Sequence, residues 1–199
     1  HIGVLMCING TGIQYSWLRK MLAPGTPYET LEAEATKAPI GADGLTALPF
    51  GNGAERILND RQVGAQLLGL DFNRHSKVHL LRAGLEGIAF SFIYGMGILR
   101  DMGLKMEVIR VGNDNLFQSA IFGHTVASLS GCIIEIMETT GAIGAAQAAA
   151  VGAGHWDDLS AIHDNLKKVG QYEPQSTDID AYRAAYQAWE KALQKTITP

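Results

Sequence analysis

The hydrophobic positions of this chain fall into short unbroken runs and longer stretches of helical period. "IGVLMCI" (2–8) is a continuous apolar run ended by Asn9-Gly10-Thr11-Gly12, a dense turn signal, and predicts a strand. "QYSWLRKML" places Tyr15, Leu18 and Leu22 at helical spacing. In "TPYETLEAEATKA", Thr26 suits an N-cap, Pro27 the first helical position, and acids fill the early turns, so a second helix is predicted. "LTALPF" (45–50) and "VGAQLLGL" (63–70) predict strands, and the polar loop between them is compatible with antiparallel pairing.

A helix is predicted from about Ser76 to Met102, with Leu81, Leu85, Ile88, Phe92 and Leu99 on one face. Gly84, Gly87, Ser91 and Gly95 form a second line at intervals of three and four. Each interior glycine costs a helix about 0.5–1 kcal/mol relative to Ala, so the line predicts close approach of the 141–154 helix or of a sheet. "MEVIRV" (106–111), "SAIFGHTVASLS" (119–130) and "CIIEIME" (132–138) read as strand, helix and strand, the pattern of a parallel crossover unit. "GAIGAAQAAAVGAG" (141–154) predicts a small-residue helix, and polar helices are expected near 157–168 and 178–195. The sum is a layered α/β domain with a five-stranded mixed sheet flanked by helices.

Composition narrows the class without naming a function. The 199 residues fit one domain, with 47% hydrophobic and 18% charged residues. A formal charge of −4 and the absence of a Lys/Arg cluster argue against nucleic acid or an anionic membrane as partner. Cys7 and Cys132 sit in apolar runs and are expected to be buried, reduced thiols of a cytoplasmic protein. No stretch has the form of a signal peptide or the unbroken apolar length of a membrane span. The chain starts almost inside a strand and reads as a fragment of something longer, with His1 as a cloning remnant.

The stretch "RVGNDNLFQSAIF" (110–122) carries the strongest candidate chemistry. Gly112, Asn113, Asp114 and Asn115 stand where a strand hands over to a helix. In open α/β sheets, ligands bind beyond the carboxyl ends of strands, near the free amides of the next helix. Glycine lets the backbone approach a ligand, and Asn and Asp tolerate tight turns while offering hydrogen bonds. Residues 112–119 therefore suit a nucleotide or another flat polar ligand; an ordinary Asx-stabilised turn is the alternative that the pattern leaves open.

Other motifs are weaker. "NGTG" (9–12) lacks the Lys-Ser/Thr of a phosphate loop, and "GAIGAA" (141–146) lacks the tight first turn of a dinucleotide fingerprint. His75 and His79 are four apart with no third metal ligand nearby, so no metal site is assigned. Glu55-Arg56 is either a loop-fixing ion pair or an Arg beside a phosphate or sugar. No catalytic side chain is nominated.

Residues 65–86, "AQLLGLDFNRHSKVHLLRAGLE", resemble the C-terminal signature of the FGGY family of carbohydrate kinases. The matching positions are Ala65, Leu67, Gly69, Leu70, His79, Leu80, Ala83, Leu85 and Glu86; Gly84 departs from the pattern. "GLTALPFGNGAER" is similar to the family's stretch before that signature, and "GAIGAAQAAAVGAG" to its closing helix. Tyr172, Pro174, Tyr182, Tyr186 and Trp189 resemble its usual ending, so the likeness spans nearly the whole chain. "GNDNLFQS" replaces the usual glycine-rich run and is similar to the branch of the family that phosphorylates D-xylulose; Ser128 stands where an Asp is usual.

That resemblance implies a ribonuclease H/actin-like ATPase domain over 1–199, the nucleotide-side half of a sugar kinase using ATP and Mg²⁺, with D-xylulose as the favoured sugar. The alternatives are a kinase for ribulose, gluconate or glycerol, or a non-catalytic nucleotide-binding or interaction module of the same fold. It implies that Gly112, Asn113, Asp114, Asn115, Gln118 and Ser119 line the adenosine end of the ATP site, with Arg56 as a cleft residue. The catalytic Asp would belong to an N-terminal domain absent from this sequence. The implied partners are that domain and a small-molecule sugar, with a homodimer as a further expectation.

Overall fold

The computed structural model describes residues 3–155 and 166–198. Two helices open the chain, α1 (Thr11–Leu22) and α2 (Tyr28–Ala35). A hairpin of β1 (Thr46–Phe50) and β2 (Gly64–Leu68) leads to the long α3 (Lys77–Asp101). The unit β3 (Val108–Gly112), α4 (Ala120–Ser130), β4 (Ile133–Met137) follows. Helix α5 (Gly141–Gly152), strand β5 (Lys168–Tyr172) and helix α6 (Ile179–Ile197) follow among the described residues.

The strands form two sheets rather than the single five-stranded sheet expected. β1 and β2 pair antiparallel, from Thr46 opposite Leu68 to Phe50 opposite Gly64. β3 and β4 pair parallel, from Val108 opposite Ile133 to Gly112 opposite Met137, and β5 adds antiparallel to β4. The result is a two-stranded antiparallel sheet beside a three-stranded mixed one.

Two strand assignments change. The apolar run at 2–8 forms no strand over its described part, residues 3–8; Val4 is 46% and Leu5 80% exposed. Residues 3–8 have no ladder partner among the described strands, and a strand needs one. Of the helix expected near 157–168, residues 157–165 lie outside the described residues, 166 and 167 are not helical, and β5 begins at Lys168. The five residues KVGQY carry little apolar period, and pairing with β4 overrides their weak local preference.

Helix α3 organises the interior because its two faces serve two cores. Leu81, Leu85 and Ile88 pack with Leu18, Leu31, Phe122 and Ile134 in one cluster. Phe90 joins Leu48, Phe50, Trp189 and Leu193 in another. The glycine line is where other elements approach. A Cβ at Gly87 would overlap the carbonyl oxygen of Ala47 in β1, and one at Gly84 would overlap Leu18 of α1. The expected alternative contact with the 141–154 helix is not made, since nothing lies within 4 Å of a Cβ built at Gly141, Gly144 or Gly152.

The ends of α3 explain two histidines. His79 Nδ1 accepts from the Ser76 amide at 3.2 Å, completing a capping box. His75 Nδ1 accepts from the Asp71 amide at 2.9 Å and so closes the preceding turn. Glu86, the acid of the family signature, is buried, pairs with Arg82 at 2.6 Å and accepts from the Gly41 amide at 3.0 Å. Burial pushes its carboxyl above the usual carboxylate range, and Arg82 opposes that shift. Two smaller expectations also change. Pro27, not Thr26, occupies the N-cap position of α2, because the Thr26 carbonyl is held by Arg19 Nε at 2.6 Å. Cys132 is buried as expected, but Cys7 is exposed on the unpaired leading segment.

Because the Gly87 site is closed by backbone, Gly87→Leu is expected to lower stability by about 1–3 kcal/mol through overpacking. A urea denaturation midpoint equal to that of the parent chain would show that the contact between α3 and β1 yields freely.

Candidate functional site

The strand-to-helix turn expected to carry a ligand is built by contacts on three sides. Gly112 ends β3, Asn113 and Asp114 turn the chain, and a 3-10 turn, Asn115–Gln118, leads to α4. The Asn113 amide donates to the carbonyls of Met137 at 3.0 Å and Thr139 at 3.1 Å, which docks the turn on the end of β4. Gln118 Nε2 donates to the Asn113 carbonyl at 3.3 Å and closes the turn internally. From β5, the Tyr172 hydroxyl donates to the Phe117 carbonyl at 2.9 Å. Asn115 has φ 54°, a left-handed conformation that Asn tolerates.

Glycine at 112 has a packing reason beside the one expected. Its φ lies outside the left-handed region. A Cβ there would stand 2.7 Å from the Thr139 carbonyl oxygen and 3.2 Å from Asp114 Oδ1. The residue is small to let the turn after β4 cross β3, and the backbone approach it permits is to the protein's own chain.

Helix α4 begins under a double cap. Ser119 Oγ accepts from the Phe122 amide at 3.1 Å and donates to Glu32 Oε2 at 2.7 Å. Glu32 Oε1 accepts from the Ile121 amide at 2.8 Å. Glu32 belongs to α2, so a carboxylate from a distant helix occupies the α4 N-terminus, where the helix dipole favours a negative charge. The position at which an open helix start would hold a phosphate is thereby filled from within the chain.

Between α1, α2 and this turn lies a cavity of about 780 Å³. Gly112, Asp114, Asn115, Gln118 and Ser119 all line it, and Asn113 does not. Leu116 and Phe117 complete the turn's contribution, with Phe92 and Phe122 behind them. The opposite wall is Thr11, Gly12 and Tyr15 from α1 with Tyr28, Glu29 and Glu32 from α2. Tyr15 and Tyr28 stack at 5.6 Å, and the Arg19 guanidinium lies 4.6 Å from the centre of the Tyr28 ring. The cavity thus offers aromatic surface and hydrogen-bonding groups, with three carboxylate side chains and no Lys or Arg among its lining.

Tyr15, Tyr28, Glu29 and Glu32 are the site residues that sequence reasoning missed. Acids early in a predicted helix read as partners of that helix's own dipole. Glu32 serves a different helix, and no spacing in the sequence announces that pairing.

Arg56 does not line this cavity and is exposed on the 3-10 turn Arg56–Leu58. Its neighbour Glu55 is buried and spends its carboxylate on the amides of Asn9 and Gly10, each at 2.9 Å. The expected loop-fixing role therefore falls to Glu55, acting on backbone rather than on Arg56. Among the described residues, no group of three His, Cys, Asp or Glu side chains is arranged to hold a metal ion. No helix among them is long and apolar enough to cross a membrane.

Comparison with known proteins defines the class. Residues 1–153 match the C-terminal domain of the FGGY family of carbohydrate kinases, and the chain belongs to that family. It is 27% identical over 193 residues to xylulose kinase of Bacillus subtilis, covering 93% of this chain and 37% of that protein. It is 32% identical over 166 residues to xylulose kinase of Haemophilus influenzae, covering 81% of this chain and 33% of that protein. The crystal structure of xylulose kinase from Rhodospirillum rubrum superposes with a TM-score of 0.78 at 27% identity, covering 96% of this chain and 39% of that one. The chain therefore spans little more than a third of the length of the relatives it matches.

The Glu32 clamp is a measurable part of this geometry. Glu32→Ala is expected to cost about 1–3 kcal/mol of stability by releasing two hydrogen bonds to a charged group. Hydrogen exchange should show lost protection at the Ile121 amide. Unchanged protection there would show that solvent replaces the carboxylate without penalty.

Proposed function

We propose that residues 1–199 form the nucleotide-side domain of an ATP-dependent sugar kinase of the ribonuclease H/actin-like type, with D-xylulose as the sugar. The observation that carries this reading is the convergence of five residues of the 112–119 turn on one aromatic-walled cavity. Membership of a carbohydrate kinase family supports the reaction class, and similarity to xylulose kinases supports the sugar. In this reading the cavity holds the adenosine end of ATP. Gly112, Asp114, Asn115, Gln118 and Ser119 frame the base and ribose, and Asn113 holds the turn in shape.

The role of these residues is to position the nucleotide. Phosphoryl transfer asks the protein chiefly to place groups and to stabilise charge, and Mg²⁺ bridges the phosphates. The reading assigns this chain no Mg²⁺ ligand. It places the catalytic base and most sugar contacts in an N-terminal domain of the same protein, which matches the third or so of each relative that the chain spans. Association as a homodimer and a cytoplasmic location belong to the same proposal.

Two measurements test it. Calorimetric titration of the chain with adenosine should show binding, and amide NMR shifts should concentrate in residues 112–119. Shifts confined to another surface would overturn the assignment of the cavity. An enzyme assay of the chain alone with ATP and D-xylulose should release no sugar-dependent ADP. Turnover by these 199 residues would refute the placement of the catalytic half elsewhere.

A further inference from the structure

Asp114 stands where an aspartate ordinarily serves its own backbone, and here it does not. It holds the N-cap position of the 3-10 turn Asn115–Gln118, yet its side chain makes no capping hydrogen bond. An Asp at such a start usually accepts from a nearby amide. Neither carboxylate oxygen has a hydrogen-bond or ion-pair partner among the described residues, and neither is shut away from solvent. Oδ1 lies over Gly112, 3.2 Å from where a Cβ would stand, and both residues line the cavity. The absent side chain at 112 leaves that oxygen uncovered.

The backbone on either side is fixed. The Asn113 amide is bound to the Met137 and Thr139 carbonyls, and the Tyr172 hydroxyl to the Phe117 carbonyl. The carboxylate is thus carried on an ordered turn, and a ligand need not first order the loop.

Other polar groups of the lining have other duties. Both oxygens of Glu32 are bound at the start of α4, where Ser119 Oγ is also engaged. Thr11 Oγ1 donates to the Ile8 carbonyl at 3.4 Å, Gln118 Nε2 donates to the Asn113 carbonyl, and the Tyr15 hydroxyl oxygen is buried within the wall. Glu29 is exposed in the first turn of α2, where the helix dipole explains an acid. Asp114 is left as the unengaged carboxylate of the 112–119 wall. A carboxylate only accepts, through two oxygens side by side, so it matches two adjacent donors on a ligand.

We propose that Asp114 selects the nucleoside by accepting from a pair of adjacent donors, the 2′- and 3′-hydroxyls of a ribose or the N1–H and N2–H of a guanine. The inference rests on the nucleotide reading above and adds to it the chemistry by which the cavity tells one nucleoside from another. Adenine sets an acceptor, N1, beside its donor N6, so for adenosine the pair is the diol.

The test compares Asp114→Asn with the unaltered chain by calorimetry, using adenosine, 2′,3′-dideoxyadenosine and guanosine. In the unaltered chain, removing the diol should weaken binding roughly 5- to 30-fold, or guanosine should bind tighter than adenosine by a similar factor, as for hydrogen bonds to a charged group. The first result places the ribose at Asp114, the second the base. In Asp114→Asn that ratio should largely vanish, with the melting temperature unchanged because the carboxylate holds no part of the fold. Ratios near one in the unaltered chain, or the same ratios in both proteins, would overturn the proposal and leave the nucleotide reading in place. A lowered melting temperature with every nucleoside weakened alike would mark Asp114 as structural and overturn it as well. If the unaltered chain binds no nucleoside, the nucleotide reading itself fails and this inference falls with it.

Discussion

The carboxylate of Glu32 joins two parts of the chain that lie some ninety residues apart, with separations of 87 to Ser119 and 89 to Ile121. Both of its oxygens are spent on the first turn of α4, so α2 and the 112–119 turn are held at a set distance. The cavity is the space that this clamp leaves between them. The clamp also decides its charge, because it puts an anion where a helix start would otherwise attract one. A nucleotide entering such a site meets aromatic surface and acceptors, and its phosphates find no free helix terminus to settle on.

The rest of the fold keeps the two walls rigid. Tyr172 on β5 pins the Phe117 carbonyl, and the Asn113 amide is tied to the end of β4. Behind the cavity, Phe92 of α3 meets Phe122 of α4 edge to face at 5.3 Å, which couples the turn to the central helix. That helix is fixed on its other side at Ala47, whose carbonyl accepts from Trp189 Nε1 at 2.9 Å and abuts Gly87. One strand carbonyl thus registers α3 and α6 together, and Gly87, just past the family signature, has a steric reason. Glu86 ties the same region to the loop at Gly41 through its buried carboxyl group.

How much of this was legible in the sequence depended on the range of the interaction. Elements fixed by local period were readable: β1, β2, α3, α4 and β4 lie within a residue or two of where the pattern puts them. The leading apolar run misled, since hydrophobicity alone does not supply a strand with a neighbour. β5 was missed for the opposite reason, because its pairing with β4 comes from tertiary contact. At the site, the turn announced itself through Gly, Asn and Asp, whereas Tyr15, Tyr28 and Glu32 arrive from helices far away in sequence. The packing reason for Gly112 was not legible, because its tight neighbour, Thr139, belongs to another strand's exit.

The central claim is that the cavity between α2 and the 112–119 turn holds the nucleoside end of ATP. A crystal structure of the chain with ADP tests it most directly. The account predicts electron density for the base and ribose between the Tyr15–Tyr28 wall and residues 112–119, with both phosphates directed out of the cavity. Phosphates seated at the start of α4 in place of Glu32, or a nucleotide bound away from this turn, would contradict it.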